Sequence, residues 1–178
     1  MNIPPATHRL ILRTWRDDDA DAFAQMNADP LVMRHFPGLM TREQSDAALG
    51  RVRKHFEDRG FGLWATELRE TGEFIGFVGL QVPRFEAHFT PCVEVGWRLI
   101  PRFWGKGYAT EAARAALDFG FATLRLPEIV AMTTPSNVES IAVMKRLGMT
   151  HNPADDFDNP LVEGPLKRHV LYRVRASE

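Results

Sequence analysis

The run Arg102-Phe103-Trp104-Gly105-Lys106-Gly107-Tyr108-Ala109 lies between two stretches of different period. Upstream, Val93, Val95, Trp97 and Leu99 alternate with Glu94, Gly96 and Arg98, the period of two that marks a strand with distinct faces. Downstream, Ala109, Ala112, Ala113, Ala116, Leu117, Gly120, Phe121 and Leu124 recur at the three-then-four spacing of an apolar helix face. The reading is strand, glycine turn, helix. Such a turn gathers unpaired N–H groups and the positive end of the helix dipole at one point, which suits an anion such as pyrophosphate. Gly105 and Gly107 let the backbone take unusual dihedrals and come close to phosphate oxygens, and Arg102 and Lys106 add positive charge. An ordinary connection between strand and helix accounts for two glycines equally well. The Walker A spacing and the three-glycine dinucleotide fingerprint are both absent.

Outside this stretch the composition is that of one globular domain over residues 1–178. A chain of this length buries about 70% of its unfolded surface. With 22 basic and 23 acidic side chains there is no global field to draw nucleic acid or an anionic membrane, so any anion preference must be local. A single cysteine, Cys92, excludes an internal disulfide and leaves no cysteine cluster for zinc, and the histidines His35, His55, His88, His151 and His169 show no metal spacing. The start, Met1-Asn2-Ile3-Pro4-Pro5, lacks the pattern of a signal peptide, and no apolar run approaches the roughly 20 residues of a membrane span. The expectation is a soluble cytoplasmic protein, monomer or homodimer.

In chain order, Leu10 and Leu12 sit in a short first strand, and Asp17, Asp18 and Asp19 place negative charge at the start of a helix that Asp29-Pro30 stops. An irregular piece with His35, Phe36 and Pro37 follows. Thr41 and Gln44 form a capping box for a second helix ending at Arg59-Gly60. Strands are expected at Phe61 to Leu68, Glu73 to Val82 and Cys92 to Ile100, the first two as an antiparallel hairpin. After the central helix come a strand from Ile129 to Thr134, a helix capped by Ser136 with Glu139 and ending at Gly148, a strand from Met149, a long loop from Asn152 to Leu166, and a last strand from Lys167 to Val174. This is an α+β order with a mixed sheet.

Arg102-x-x-Gly105-x-Gly107-Tyr108-Ala109-Thr110-Glu111-Ala112 resembles the acetyl-CoA pyrophosphate loop of the GCN5-related N-acetyltransferase (GNAT) superfamily, in the form seen in its Rim-type branch, which acetylates ribosomal-protein N-termini. The likeness runs from Arg9-Leu10-Ile11-Leu12-Arg13 through Gly72-Glu73-Phe74-Ile75-Gly76 and Asn137-x-x-Ser140 to Leu147-Gly148-Met149 and Val170-Leu171-Tyr172. It implies the GNAT fold: a mostly antiparallel sheet of about seven strands flanked by four helices, with two central strands splayed to admit the cofactor. It implies acetyl-CoA as co-substrate, no metal, and an amine acceptor that is a protein or peptide N-terminus or a small molecule.

Carried over residue by residue, the resemblance has Leu99 and Ile100 offering backbone partners to pantetheine and the amides from Arg102 through Ala109 holding the pyrophosphate, with Trp104 and Thr110 beside the cofactor. Asn137 would bond the pantetheine, and Lys145 or Arg146 the terminal phosphate. Amine acetylation needs a neutral amine and a proton donor for the departing thiolate. Glu94, on the strand face opposite Val93, Val95 and Trp97, is the candidate base; its alternative is a solvent-facing carboxylate paired with Arg98. Many relatives carry a tyrosine as acid where this chain has Met144, which moves that role to Ser140 or to a water it holds. His35 and Phe36 are candidates for the acceptor wall. Met144 also keeps open a CoA-responsive module without turnover, and a transferase for a longer acyl group is a further alternative.

Overall fold

The alternating and helical periods resolve into eight strands and five helices in a computed structural model that describes residues 3–176. β1 (Leu10–Arg13) leads into α1 (Asp19–Asn27), α2 (Pro30–Met33) and α3 (Arg42–Arg59). An antiparallel meander follows: β2 (Leu63–Leu68), β3 (Phe74–Gln81) and β4 (Glu94–Leu99). Then come α4 (Tyr108–Ala122), β5 (Glu128–Thr133), α5 (Val138–Arg146), β6 (Thr150–His151), β7 (Phe157–Asp158) and β8 (Arg168–Arg175). The strands order as β1-β2-β3-β4-β5-β8-β6, with β7 also on β8, and every pairing is antiparallel except β4 with β5.

Two elements exceed the expected seven strands and four helices. Pro30 stops α1 and also opens α2: a proline at the first helical position loses no hydrogen bond, and Asp29 caps the turn by accepting from the Leu31 N–H. The other is β7, a two-residue strand inside the long loop that pairs Phe157 with His169. The capping box of Thr41 and Gln44 forms as expected. The one expected at Ser136 does not, because the cap of α5 is Asn137, whose side chain accepts from the Ser140 N–H.

The core sits on both faces of the sheet. Phe77 faces Phe23, Met26, Val32, Met33 and Leu49 of α1, α2 and α3. Its neighbour Val78 points the other way, into the cluster built on Ala112, Ala113, Ala116 and Leu117 of α4. A Cβ on Gly120 would lie 2.6 Å from Ile129 Cδ1, so this glycine sets how closely α4 lies on the sheet. Gly96 sits in regular ladder opposite Gly79, and its Cβ would meet only Leu63 Cδ2, at 3.8 Å. The bulge is in β3, where Ile75 is the extra residue between the pairs Thr66 with Gly76 and Glu67 with Phe74.

The layer of α1 and α2 is tied to the sheet by a buried ionic cluster. Arg13 donates to both carboxylate oxygens of Asp19, at 2.7 and 2.8 Å, and to Glu67 at 2.5 Å. Asp19, one of the three aspartates read as helix-start charge, thus works as a buried anchor, held below its ordinary pKa by Arg13 and by the Arg16 N–H against the desolvation that would raise it. Arg13→Met leaves buried Asp19 without its guanidinium and Glu67 with only the exposed Arg16, at 3.2 Å. The expected cost is about 3–5 kcal/mol, read as a lowered urea midpoint.

Candidate active site

The parallel partners β4 and β5 meet at one residue pair, Glu94 with Val130, and the Val130 N–H donates to the Val93 carbonyl at 2.9 Å. Beyond that pair the two strands separate. Groups on a strand alternate in direction, so the main-chain groups of Val95, Trp97 and Leu99 face the same edge as Val93; the Val95 N–H completes the bridge to Val130, and the groups beyond it look into the gap. The Leu99 carbonyl accepts from the Trp104 indole N–H at 2.7 Å. Ile100 is a correction: its N–H donates to the Ile75 carbonyl, its own carbonyl already accepts from the Phe103 N–H, and the residue does not line the cleft into which the gap opens. The gap opens into a cleft of about 1620 Å³ reaching from the glycine turn to α2, α3 and the loop after β7.

At the glycine-turn end of this cleft, Gly105 and Gly107 have φ of 73° and 80°, left-handed values that favour glycine. Among the described residues, no N–H from Gly105 through Thr110 donates to a protein group. Six consecutive donors are therefore open at the start of a 15-residue helix. Two residues without an assigned role in the sequence hold the turn. The Arg9 guanidinium donates to the Lys106 carbonyl at 3.0 Å and lies 4.5 Å from the Tyr108 ring centre, while its Nε meets Glu111 at 2.6 Å. Glu111 also accepts from Thr7 Oγ1 at 2.6 Å and from the Arg9 N–H at 2.8 Å. The familiar Arg-Leu-Ile-Leu-Arg start was the signal for this clamp.

Three basic side chains expected at the cofactor do not line the cleft. Arg102 pairs with Glu73, the Lys106 ammonium sits 5.6 Å from the Phe103 ring centre, and Lys145 is exposed on the outer side of α5. Arg146 lines the cleft instead, as do Leu99, Trp104, Gly105, Gly107, Tyr108, Ala109, Thr110 and Asn137.

Glu94, Ser140, His35 and Phe36 line the same cleft. Glu94 Oε2 accepts from Gln81 Nε2 at 2.9 Å, and desolvation pushes its carboxyl up to about 7 against that hydrogen bond. The pairing with Arg98 does not form. Arg98 donates instead to Asn27 Oδ1 at 2.6 Å, with its guanidinium 4.0 Å from the Phe36 ring centre and 5.3 Å from that of Phe77. Ser140 Oγ accepts from the Trp97 indole N–H at 3.3 Å, which leaves its own hydrogen free to donate. Asn137 caps Ser140 and donates to Thr133 Oγ1 at 2.9 Å, so β5 fixes the start of α5. Met144 is 1% exposed and packs at the cleft wall.

The mouth is crossed by the segment after α2. Arg34 reaches Glu139 of α5 at 2.6 Å, lies 5.5 Å from the Trp104 ring centre and donates from Nε to His35 Nε2 at 3.1 Å. Desolvation, with the neighbouring Arg34 charge, holds the His35 imidazole below its ordinary pKa.

Comparison with known proteins agrees with this geometry. The Acetyltransferase (GNAT) domain model matches residues 9–150. YkkB of Bacillus subtilis is 35% identical over 147 residues, covering 82% of this chain and 84% of its own length. The FsC-acetyl coenzyme A-N(2)-transacetylase of Aspergillus fumigatus is 41% identical over 125 residues, covering 67% of this chain and 52% of that protein. The solved acetyltransferase of Agrobacterium tumefaciens superposes with a TM-score of 0.80 at 30% identity, over 99% of this chain and 96% of the other. A mixed sheet parted between β4 and β5, a glycine turn with open amides at the head of α4 and a domain match over most of the sequence place this chain in the GNAT family of acetyltransferases.

Proposed function

We propose that the chain is an acetyl-CoA-dependent N-acetyltransferase that acetylates a primary amine directly, with both substrates bound together. The observation that carries this reading is the run of open amides from Gly105 to Thr110 at the head of the gap between β4 and β5. Those amides and the α4 dipole suit a diphosphate, and the β4 edge offers the Val95 carbonyl, Trp97 and the Leu99 N–H to a pantetheine chain. Acetyl-CoA supplies an acetyl group activated as a thioester.

The protein's own part is binding and proton handling. Glu94, beside the gap, takes the proton that an ammonium acceptor must lose; a carboxyl titrating near 7 is matched to that work at neutral pH. Ser140, fixed by Trp97 and by the Asn137 cap, presents a hydroxyl hydrogen for the leaving sulfur. Holding amine and thioester together supplies a large share of the rate by proximity. Cys92 is not a nucleophile here: burial and the nearby Glu94 charge push its thiol up to about 11. Following free thiol release from acetyl-CoA over a panel of peptide and small amines tests the assignment. Tight CoA binding with no release above background would leave a binding module.

With Glu94 as base, kcat/KM rises with pH through an apparent value near 7, and Glu94→Gln lowers it by about 10² or more at pH 7 while abolishing that limb. The same carboxyl has a folded pKa above its unfolded 4.5, so its contribution to stability is full below 4.5 and lost as pH rises through about 7. Glu94→Gln is therefore expected to gain thermal stability relative to the parent at pH 8 but not at pH 4. Gly107→Ala, at φ 80°, introduces strain of about 1–3 kcal/mol at the turn and should raise the KM for acetyl-CoA at least tenfold, with kcat little changed.

A further inference from the structure

We propose that Arg98 is a substrate-binding residue that receives a carboxylate of the acceptor, which makes the acceptors amino acids and closely related amines bearing a carboxylate. This rests on the acetyltransferase reading above and narrows its acceptor class. Arg98 lines the cleft on the face of β4 that also carries Glu94, the face covered by α1 to α3. Its Nη1 is held by Asn27, itself fully buried and fixed by a hydrogen bond to Ser45 Oγ at 2.9 Å. Its Nε is buried with no hydrogen-bond partner, and no carboxylate among the described residues pairs with the guanidinium.

An uncompensated buried cation is costly, and burial alone brings its pKa down to about 10. Phe36 and Phe77 offset part of that cost through their ring faces but carry no charge. A planar guanidinium held by Asn27 and open toward a cleft is the geometry that recognises a carboxylate. Glu94 and Arg98 lie four residues apart, about 13 Å along the strand, a span their side chains and a small bifunctional acceptor can fill together. The ammonium would lie toward Glu94 and the carboxylate toward Arg98. Arg51, Arg59 and Arg84 also line the cleft without an ion pair among the described residues, a field that favours anions and opposes polycations.

The test titrates CoA-loaded protein with matched products, N-acetylphenylalanine and N-acetylmethionine, against their primary amides, and with N-acetylspermidine, by calorimetry. The free acids are expected to bind at least about tenfold more tightly than the amides, the strength of a charge-assisted hydrogen bond. Arg98→Gln should abolish this preference and Arg98→Lys retain part of it, with CoA affinity unchanged in both. In turnover, Arg98→Gln should raise the KM for the amino acid far more than it lowers kcat. Failure of the parent protein to bind CoA would overturn the acetyltransferase reading. Normal CoA binding with acids and amides bound alike or not at all, or with N-acetylspermidine bound most tightly, would overturn this inference alone. The comparison of acid with amide on the parent protein decides the matter even if the variants fold poorly.

Discussion

One interrupted ladder governs the molecule. A strand in the middle of a sheet ordinarily has both edges paired, since buried main-chain donors and acceptors without partners are costly. Here β4 is fully paired with β3 over Gly76 to Gln81, yet meets β5 at a single position. The edge left over is tolerated because it faces a cleft, where water or a ligand satisfies it. Trp104 uses one of the acceptors through its indole, which shows how the protein itself answers that demand.

The elements around the gap follow from keeping it open and in register. On one side, β5 is pulled away because it pairs with β8 over six residues, and α5 is anchored to its end through Asn137 and Thr133. On the other, α4 lies close on the sheet because Gly120 has no side chain, so the glycine turn at its head is delivered to the mouth of the gap. The face toward α1 to α3 is fixed by Arg13 with Asp19 and Glu67, which sets the wall carrying His35 and Phe36.

Much of this was legible in the sequence where the signal was a period or a backbone requirement. The strand, turn and helix around Gly105 and Gly107 were plain, because only glycine is at ease at φ 73° and 80° and because the apolar repeats change from two to three-and-four. Glu94, Ser140 and Asn137, singled out by type and position in the sequence, do share the cleft. Long cationic side chains were read less well. Arg102 and Lys106 looked like phosphate ligands because they flank the glycines, but their stems turn to Glu73 and Phe103, neighbours that only the folded chain supplies. Arg98 looked like a partner for Glu94; Asn27, distant in sequence, takes it instead. Ser136 and Asn137 were competing caps of similar propensity, and the bond from Asn137 to Thr133 decides between them.

The link from Thr7 and Arg9 to Glu111 joins residues more than a hundred positions apart. The segment leading into the first strand therefore waits for the fourth helix before its contacts are made, and the glycine turn lacks its Arg9 clamp until that distant closure. Assembly of the clamped glycine turn is thus a late, non-local event in folding, and a nascent chain whose C-terminal half is still being synthesised has none to offer.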